Sequence, residues 1–156
     1  MTSLTLIRRI AARPSVVFQA LTTSDGVAAW WGPDDLPVTD AEVEGRVGGA
    51  FRVRFPTADG REHEASGEFL EFVPPRRLVM SWRWSLGGEA DEAGRVSRVE
   101  IKLRAIDAGT ELTFTHADLA SGTSRASHER GWSAALAKLA RVLADRGAVP
   151  AGAVEP

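Results

Sequence analysis

From Val38 to about His116, apolar and polar residues alternate with a period of two, broken by clusters of glycine, proline and aspartate. This is the pattern of an antiparallel meander with one dry and one wet face. Phe51, Val53 and Phe55 alternate with Arg52 and Arg54; beyond a turn at Ala58-Asp59-Gly60, Ala65, Gly67 and Phe69 oppose Glu64, Ser66 and Glu68. After a turn at Pro74-Pro75, Leu78, Met80, Trp82 and Trp84 face one way while Arg77, Ser81 and Arg83 face the other. Val99, Ile101 and Leu103 repeat the alternation, and so do Leu112, Phe114 and His116. Arginines and glutamates on the wet side predict cross-strand charge pairs, each worth only about 0.2–1 kcal/mol. Val47-Gly48-Gly49 precedes no helix and reads as a hairpin or bulge, not as a phosphate cradle.

The segments flanking the meander supply one more strand and the helices. Leu4 to Ile10 reads as a first strand, and Pro14 suits the first position of a helix whose Val17, Phe18 and Leu21 share an apolar face. Thr23 or Ser24 can cap a second short helix, which ends at Trp30-Trp31 before Gly32-Pro33. From about Ser124 to Arg146, Trp132, Leu136, Leu139 and Leu143 recur at helical spacing. Gly131 costs this helix about 1 kcal/mol relative to alanine, which suggests a close backbone approach there. A one-sided sheet must bury its dry face, and this helix is the one long element available. The fold class expected is therefore α+β: a curved antiparallel sheet of about seven strands, in the order β-α-α-β6-α, wrapped around a long C-terminal helix. Residues 1–146 form one domain in this reading, and residues 147–156 a flexible tail.

Composition narrows the chemistry. A chain of 156 residues hides roughly 68–70% of its unfolded surface and needs no staples. It has no cysteine, which excludes disulfides, thiolate nucleophiles and sulfur-bound zinc, and the expected location is the cytoplasm. No apolar run approaches the ~20 residues that span a bilayer, and the start of the chain lacks a signal-peptide layout, so no membrane partner is expected. A net charge of −2 provides no broad cationic field for nucleic acid. Monomer and homodimer both remain open.

Several separated strings carry a family resemblance: Leu21-Thr22-Thr23 leading to Ala29-Trp30-Trp31-Gly32-Pro33, Val47-Gly48-Gly49-Ala50-Phe51, Gly67-Glu68-Phe69 through Pro74-Pro75-Arg76-Arg77-Leu78-Val79 to Trp82, and Gly131-Trp132. In this order they resemble the START-like (SRPBCC, helix-grip) superfamily, in the branch named after activators of the heat-shock-protein-90 ATPase. The resemblance implies a helix-grip fold with a ligand cavity between sheet and last helix. It does not transfer chaperone activation, which belongs to members with an additional domain.

Five tryptophans and no tyrosine focus the search for a site on large apolar rings. Inward parity places Phe51, Val53, Phe69, Met80, Trp82 and Trp84 on the cavity side, with Val99, Ile101, Phe114 and His116 from the later strands. Trp132, Leu136 and His128 join them from the last helix. Adjacent residues on a helix project about 100° apart, so of Trp30 and Trp31 only one fits fully into the core and the other lies at a surface or pocket rim. The function this supports is non-catalytic binding of a small hydrophobic molecule such as a lipid, polyketide or aromatic metabolite, with no cofactor. His116 is the candidate for catalysis, as acid or base in a cyclase or hydrolase; the competing reading makes it a buried neutral imidazole. His63 starts its strand with inward parity. The three histidines lack the short spacing of a zinc site, so no metal is expected. Asp34-Asp35 reads as a solvated turn. A protein-interaction role through the sheet's outer face or open edge is the third possibility.

Overall fold

The computed structural model describes residues 2–32 and 36–147; Asp34-Asp35 and the tail beyond Gly147 lie outside them. Strand β1 (Thr2–Ile10) runs into two short helices, α1 (Pro14–Thr22) and α2 (Ser24–Trp30). Six strands follow: β2 (Asp40–Val43), β3 (Ala50–Pro56), β4 (Glu62–Val73), β5 (Arg77–Leu86), β6 (Ser97–Ile106) and β7 (Gly109–Leu119). The long helix α3 (Gly122–Gly147) ends the described chain. The order β-α-α-β6-α is the one read from the sequence. All seven strands form one antiparallel sheet in the order β1-β7-β6-β5-β4-β3-β2, so the first strand returns to lie beside the last.

Local chemistry explains the elements. Pro14 opens α1, where its missing N–H would have had no intrahelical partner. Thr23 accepts the Gly26 N–H through its hydroxyl at 3.0 Å and caps α2, an interaction worth about 1 kcal/mol. On the outer face Arg52 bridges Asp40 at 2.7 Å, Glu42, and Glu64 at 3.2 Å. Arg77 bridges Glu71 at 3.1 Å and Glu100 at 2.6 Å. Such half-exposed pairs keep the face wetted and contribute little to stability.

The curvature has a local cause in β4. A Cβ at Gly67 would sit 1.9 Å from the Ser81 carbonyl oxygen and 2.8 Å from the Phe51 ring, so only glycine allows β5 to cross so closely. The pairing of β4 with β5 shifts register on either side of that point, between Glu64 and Ala65 and between Phe69 and Glu71. Register shifts of this kind add twist and bend a sheet. The concave face receives α3, whose Trp132, Leu136, Leu139 and Leu143 are all buried. This helix contacts β1, β7 and α2. At Gly131 the structure differs from the sequence reading: an added Cβ would meet nothing within 4 Å. The glycine opens space where a close approach was expected. Among the described residues no helix is long and apolar enough to cross a membrane.

Candidate ligand-binding cavity

The space beside Gly131 belongs to a cavity of about 630 Å³ between one end of the sheet and the N-terminal half of α3. Trp82 and Trp84 of β5, Trp132 of α3 and Trp31 at the end of α2 supply its large walls, with Phe55 of β3 beside them. Their rings interlock edge to face, Trp82 on Trp84 at 4.6 Å and Trp31 on Trp132 at 5.1 Å between centroids. On the α3 side the wall is low, because Ser127, Gly131, Ala134 and Ala135 fall on one face of the helix and carry little bulk. Small residues there, opposite large rings on the sheet, leave the room. Polar groups sit at the rim: Thr57, Asp59 and Arg61 from the β3–β4 turn, His63 at the start of β4, and Glu89, Glu92 and His128.

The structure divides the residues that parity had grouped together. Trp31, Trp82, Trp84, His128 and Trp132 line the cavity. Phe51, Val53, Phe69, Met80, Val99 and Ile101 also face inward but are consumed in the packed core, as are Phe114 and Leu136. Both adjacent tryptophans are buried, at 2% and 7% exposure, where the sequence reading allowed only one ring fully into the core; α2 ends at Trp30, and the extended backbone of Trp31 turns the second ring inward as well. Trp30 is fully buried and donates its indole N–H to the Ala20 carbonyl at 2.9 Å, while Trp31 presents its ring to the cavity.

His116 is 0% exposed and does not line the cavity. Trp132 Nε1–H donates to its Nδ1 at 3.0 Å, which fixes the other tautomer, with the proton on Nε2. That proton faces Ser97 Oγ at 2.7 Å, and Ser97 in turn donates to the Trp82 carbonyl at 3.2 Å. Both ring nitrogens are thus occupied by the protein, and the acid or base role read from the sequence gives way to that of a buried neutral imidazole joining α3, β6 and β7. Burial, and behind it the charge of nearby His128, hold its pKa well below the ordinary 6.5.

A pH dependence follows from this. The unfolded chain takes up a proton at this histidine as pH falls through about 6.5 while the native state refuses it, so unfolding becomes easier toward acid. His63, lowered by burial and by Arg61, acts in the same direction. Urea midpoints measured from neutral pH down to about pH 5 are expected to fall steadily, and His116→Gln, which cannot titrate, should flatten the slope. An equal slope in that variant would refute the assignment.

One part of the site has no signature in the alternation. The β5–β6 connection, residues 87–96, crosses the cavity rim and makes a single helical turn at Ala90–Glu92. Glu92 is 8% exposed and His128 5%, and Glu92 Oε2 lies 2.5 Å from His128 Nε2. Its other oxygen accepts the Glu89 N–H at 3.1 Å. Burial pushes the Glu92 carboxyl up, but the hydrogen bond and charge of His128, helped by the Glu89 N–H, outweigh burial and hold it below its ordinary value. Glu92 is therefore a carboxylate at neutral pH. Sequence gave no reason to single it out, because a loop glutamate 36 residues from its partner carries no periodic signal.

Comparisons with known proteins agree with this architecture. None of the curated proteins matches the chain. Among solved structures, the AHSA1 protein from Silicibacter pomeroyi is 26% identical, with a TM-score of 0.80 over 93% of this chain and 99% of that one. A protein from Chromobacterium violaceum is 24% identical, with a TM-score of 0.79 over 92% and 98% of the two chains. An AHSA1-like protein from Aeromonas hydrophila, at 21% identity, superposes with a TM-score of 0.77 over 99% and 100%. The family model of activator of Hsp90 ATPase homolog 1-like proteins matches residues 11–144, which takes in α1, α2, six of the strands and nearly all of α3, and the chain belongs to that family.

Proposed function

We propose that the protein binds a small hydrophobic molecule in the cavity between β5, α2 and α3, without chemically changing it. The observation that carries this reading is the cavity itself: about 630 Å³ walled by four of the five tryptophans and Phe55. That volume falls within the 300–1,000 Å³ typical of small-molecule sites, which are likewise mostly apolar with a few polar groups. The closed hydrogen-bond circuit around His116 leaves that histidine no free nitrogen for proton transfer, which favours binding over catalysis.

The site reports on its own occupancy, because its walls are the fluorophores. Titration with anilinonaphthalene sulfonate, palmitate or pyrene derivatives is expected to give a saturable change in tryptophan emission. Trp31→Ala and Trp84→Ala should weaken it, each removing one wall. Silence across a varied set of lipids, polyketides and aromatic metabolites would overturn the proposal.

A further inference from the structure

The segment over the cavity rim has an unusual anchor. Of residues 87–96 only Glu92 is buried; Ala90, Ala93 and Val96 are exposed. No apolar side chain of this strap is driven inward, so its buried hold on the body is one carboxylate, set on the His128 imidazole at 2.5 Å with the buried Ser124 hydroxyl beside it. Backbone contact adds Gly88 N–H to His63 Nδ1 at 3.3 Å. Glycines with positive φ stand at both ends, Gly87 and Gly88 at +80° and +85° and Gly94 at +74°. Between them Glu89 and Glu92 cap the turn reciprocally, through side chain and backbone on each. The result is a stiff turn between permissive joints.

We infer that Glu92 is an internal stand-in for a ligand carboxylate, so that the molecule bound here is a hydrophobic carboxylic acid whose head takes the place of Glu92 on His128. This rests on the reading of the cavity as a ligand site. Exchange of one carboxylate for another keeps the hydrogen bond at His128 Nε2 filled, while Glu92 leaves with the strap for water. A neutral ligand has no such exchange to offer and must bind beneath the closed strap.

The charged groups around this point are of both signs, and it is the hydrogen-bond donors there that suit an incoming oxygen. His116 stands behind His128 at 4.6 Å between ring centroids and is held neutral by the bonds described above. Arg95 and Asp118 border the far side of Glu92, Glu89 lies on the strap, and Asp59, Arg61 and His63 line the opposite rim. The buried indole N–H groups of Trp82 and Trp84 have no acceptor among the described residues. The Trp84 group lies directly beneath the strap, since a Cβ at Gly88 would sit 2.7 Å from its Nε1. Lifting the strap uncovers a donor suited to oxygen, next to the imidazole.

Energy transfer from tryptophan to pyrene tests this with two probes that differ in the head group, pyrenebutyric acid and pyrenebutanol. Glu92→Gln removes the competing anion and is expected to tighten the acid by about tenfold or more, the worth of a charge-assisted hydrogen bond, and to leave the alcohol within about twofold. His128→Gln should abolish the preference for the acid whether or not the Glu92 variant folds. Equal tightening of both probes, or no change in either, would show Glu92 to be a plain tether and overturn the inference while leaving the cavity reading intact. If neither probe binds the wild-type protein or either variant, the cavity reading fails and this inference with it.

Discussion

Trp132→Ala is expected to lose about 4–6 kcal/mol of folding stability, combining the cost of deleting a buried tryptophan with that of orphaning its hydrogen-bond partner. The indole is 6% exposed, lies 4.5 Å from Phe114 and 5.1 Å from Trp31 between ring centroids, and donates to His116 Nδ1 at 3.0 Å. Its removal therefore enlarges the cavity and leaves a buried acceptor unpaired at once. A loss of that size approaches the whole stability of an ordinary domain, so the alanine variant is best paired with Trp132→Phe. Phenylalanine keeps most of the ring and removes only the donor, with an expected loss of about 1–3 kcal/mol. Urea denaturation of the two variants separates the terms. If both lose less than about 1 kcal/mol, the ring is a loose cavity wall and the circuit through His116 contributes nothing.

The sheet and its helix were legible because each strand carries its own parity. Arg52 and Arg54 against Val53 and Phe55 reveal two faces without reference to any other strand, and the observed pairing of Val53 with Ala65 puts the apolar sets of neighbouring strands side by side. The long helix was legible for the same reason, since Trp132, Leu136, Leu139 and Leu143 form a stripe whatever they touch. For Trp30 and Trp31 the helical step of about 100° calls for one ring at a pocket or surface, without showing which would reach the cavity or that both would be buried.

Parity says nothing about depth along the helix, and there the site escaped the sequence. Phe69, Met80, Val99 and Phe114 point inward just as Trp82 does, but they are spent in the packed core and none of them lines the cavity. Trp82 and Trp84 face the N-terminal half of α3, where Ser127, Gly131 and Ala134 leave the space open. The cavity thus arises from the pairing of bulky strand ends with a thin stretch of helix, a property of two elements more than 40 residues apart in the chain. Gly131 reads as a close contact in the sequence, since a glycine inside a helix signals missing bulk without saying whether backbone or empty space takes its place. Glu92 was invisible for a different reason: a glutamate in a glycine-rich connection is ordinarily solvated, and only the three-dimensional approach of His128 makes it buried.

Gly131→Trp should lower the affinity for any cavity ligand by about tenfold or more, because the indole would occupy the volume that the ligand needs. A side chain at this position would start in open space, with nothing within 4 Å of its Cβ beyond its chain neighbours and the helix's own backbone, and project among the residues that line the cavity. The same substitution replaces the least favourable non-proline residue in the middle of α3, so the folded protein should keep its stability or gain a few tenths of a kcal/mol. Gly131→Ala should gain up to about 1 kcal/mol of stability with little loss of room. The tryptophan variant therefore loses affinity while keeping the stability of the wild type, a combination which no general loosening of the fold can imitate. Probe titration and urea denaturation on the same preparations check both. A tryptophan variant that binds as well as wild type would place the ligand elsewhere on the molecule, and one that loses several kcal/mol would mean that the space beside Gly131 is closed in solution.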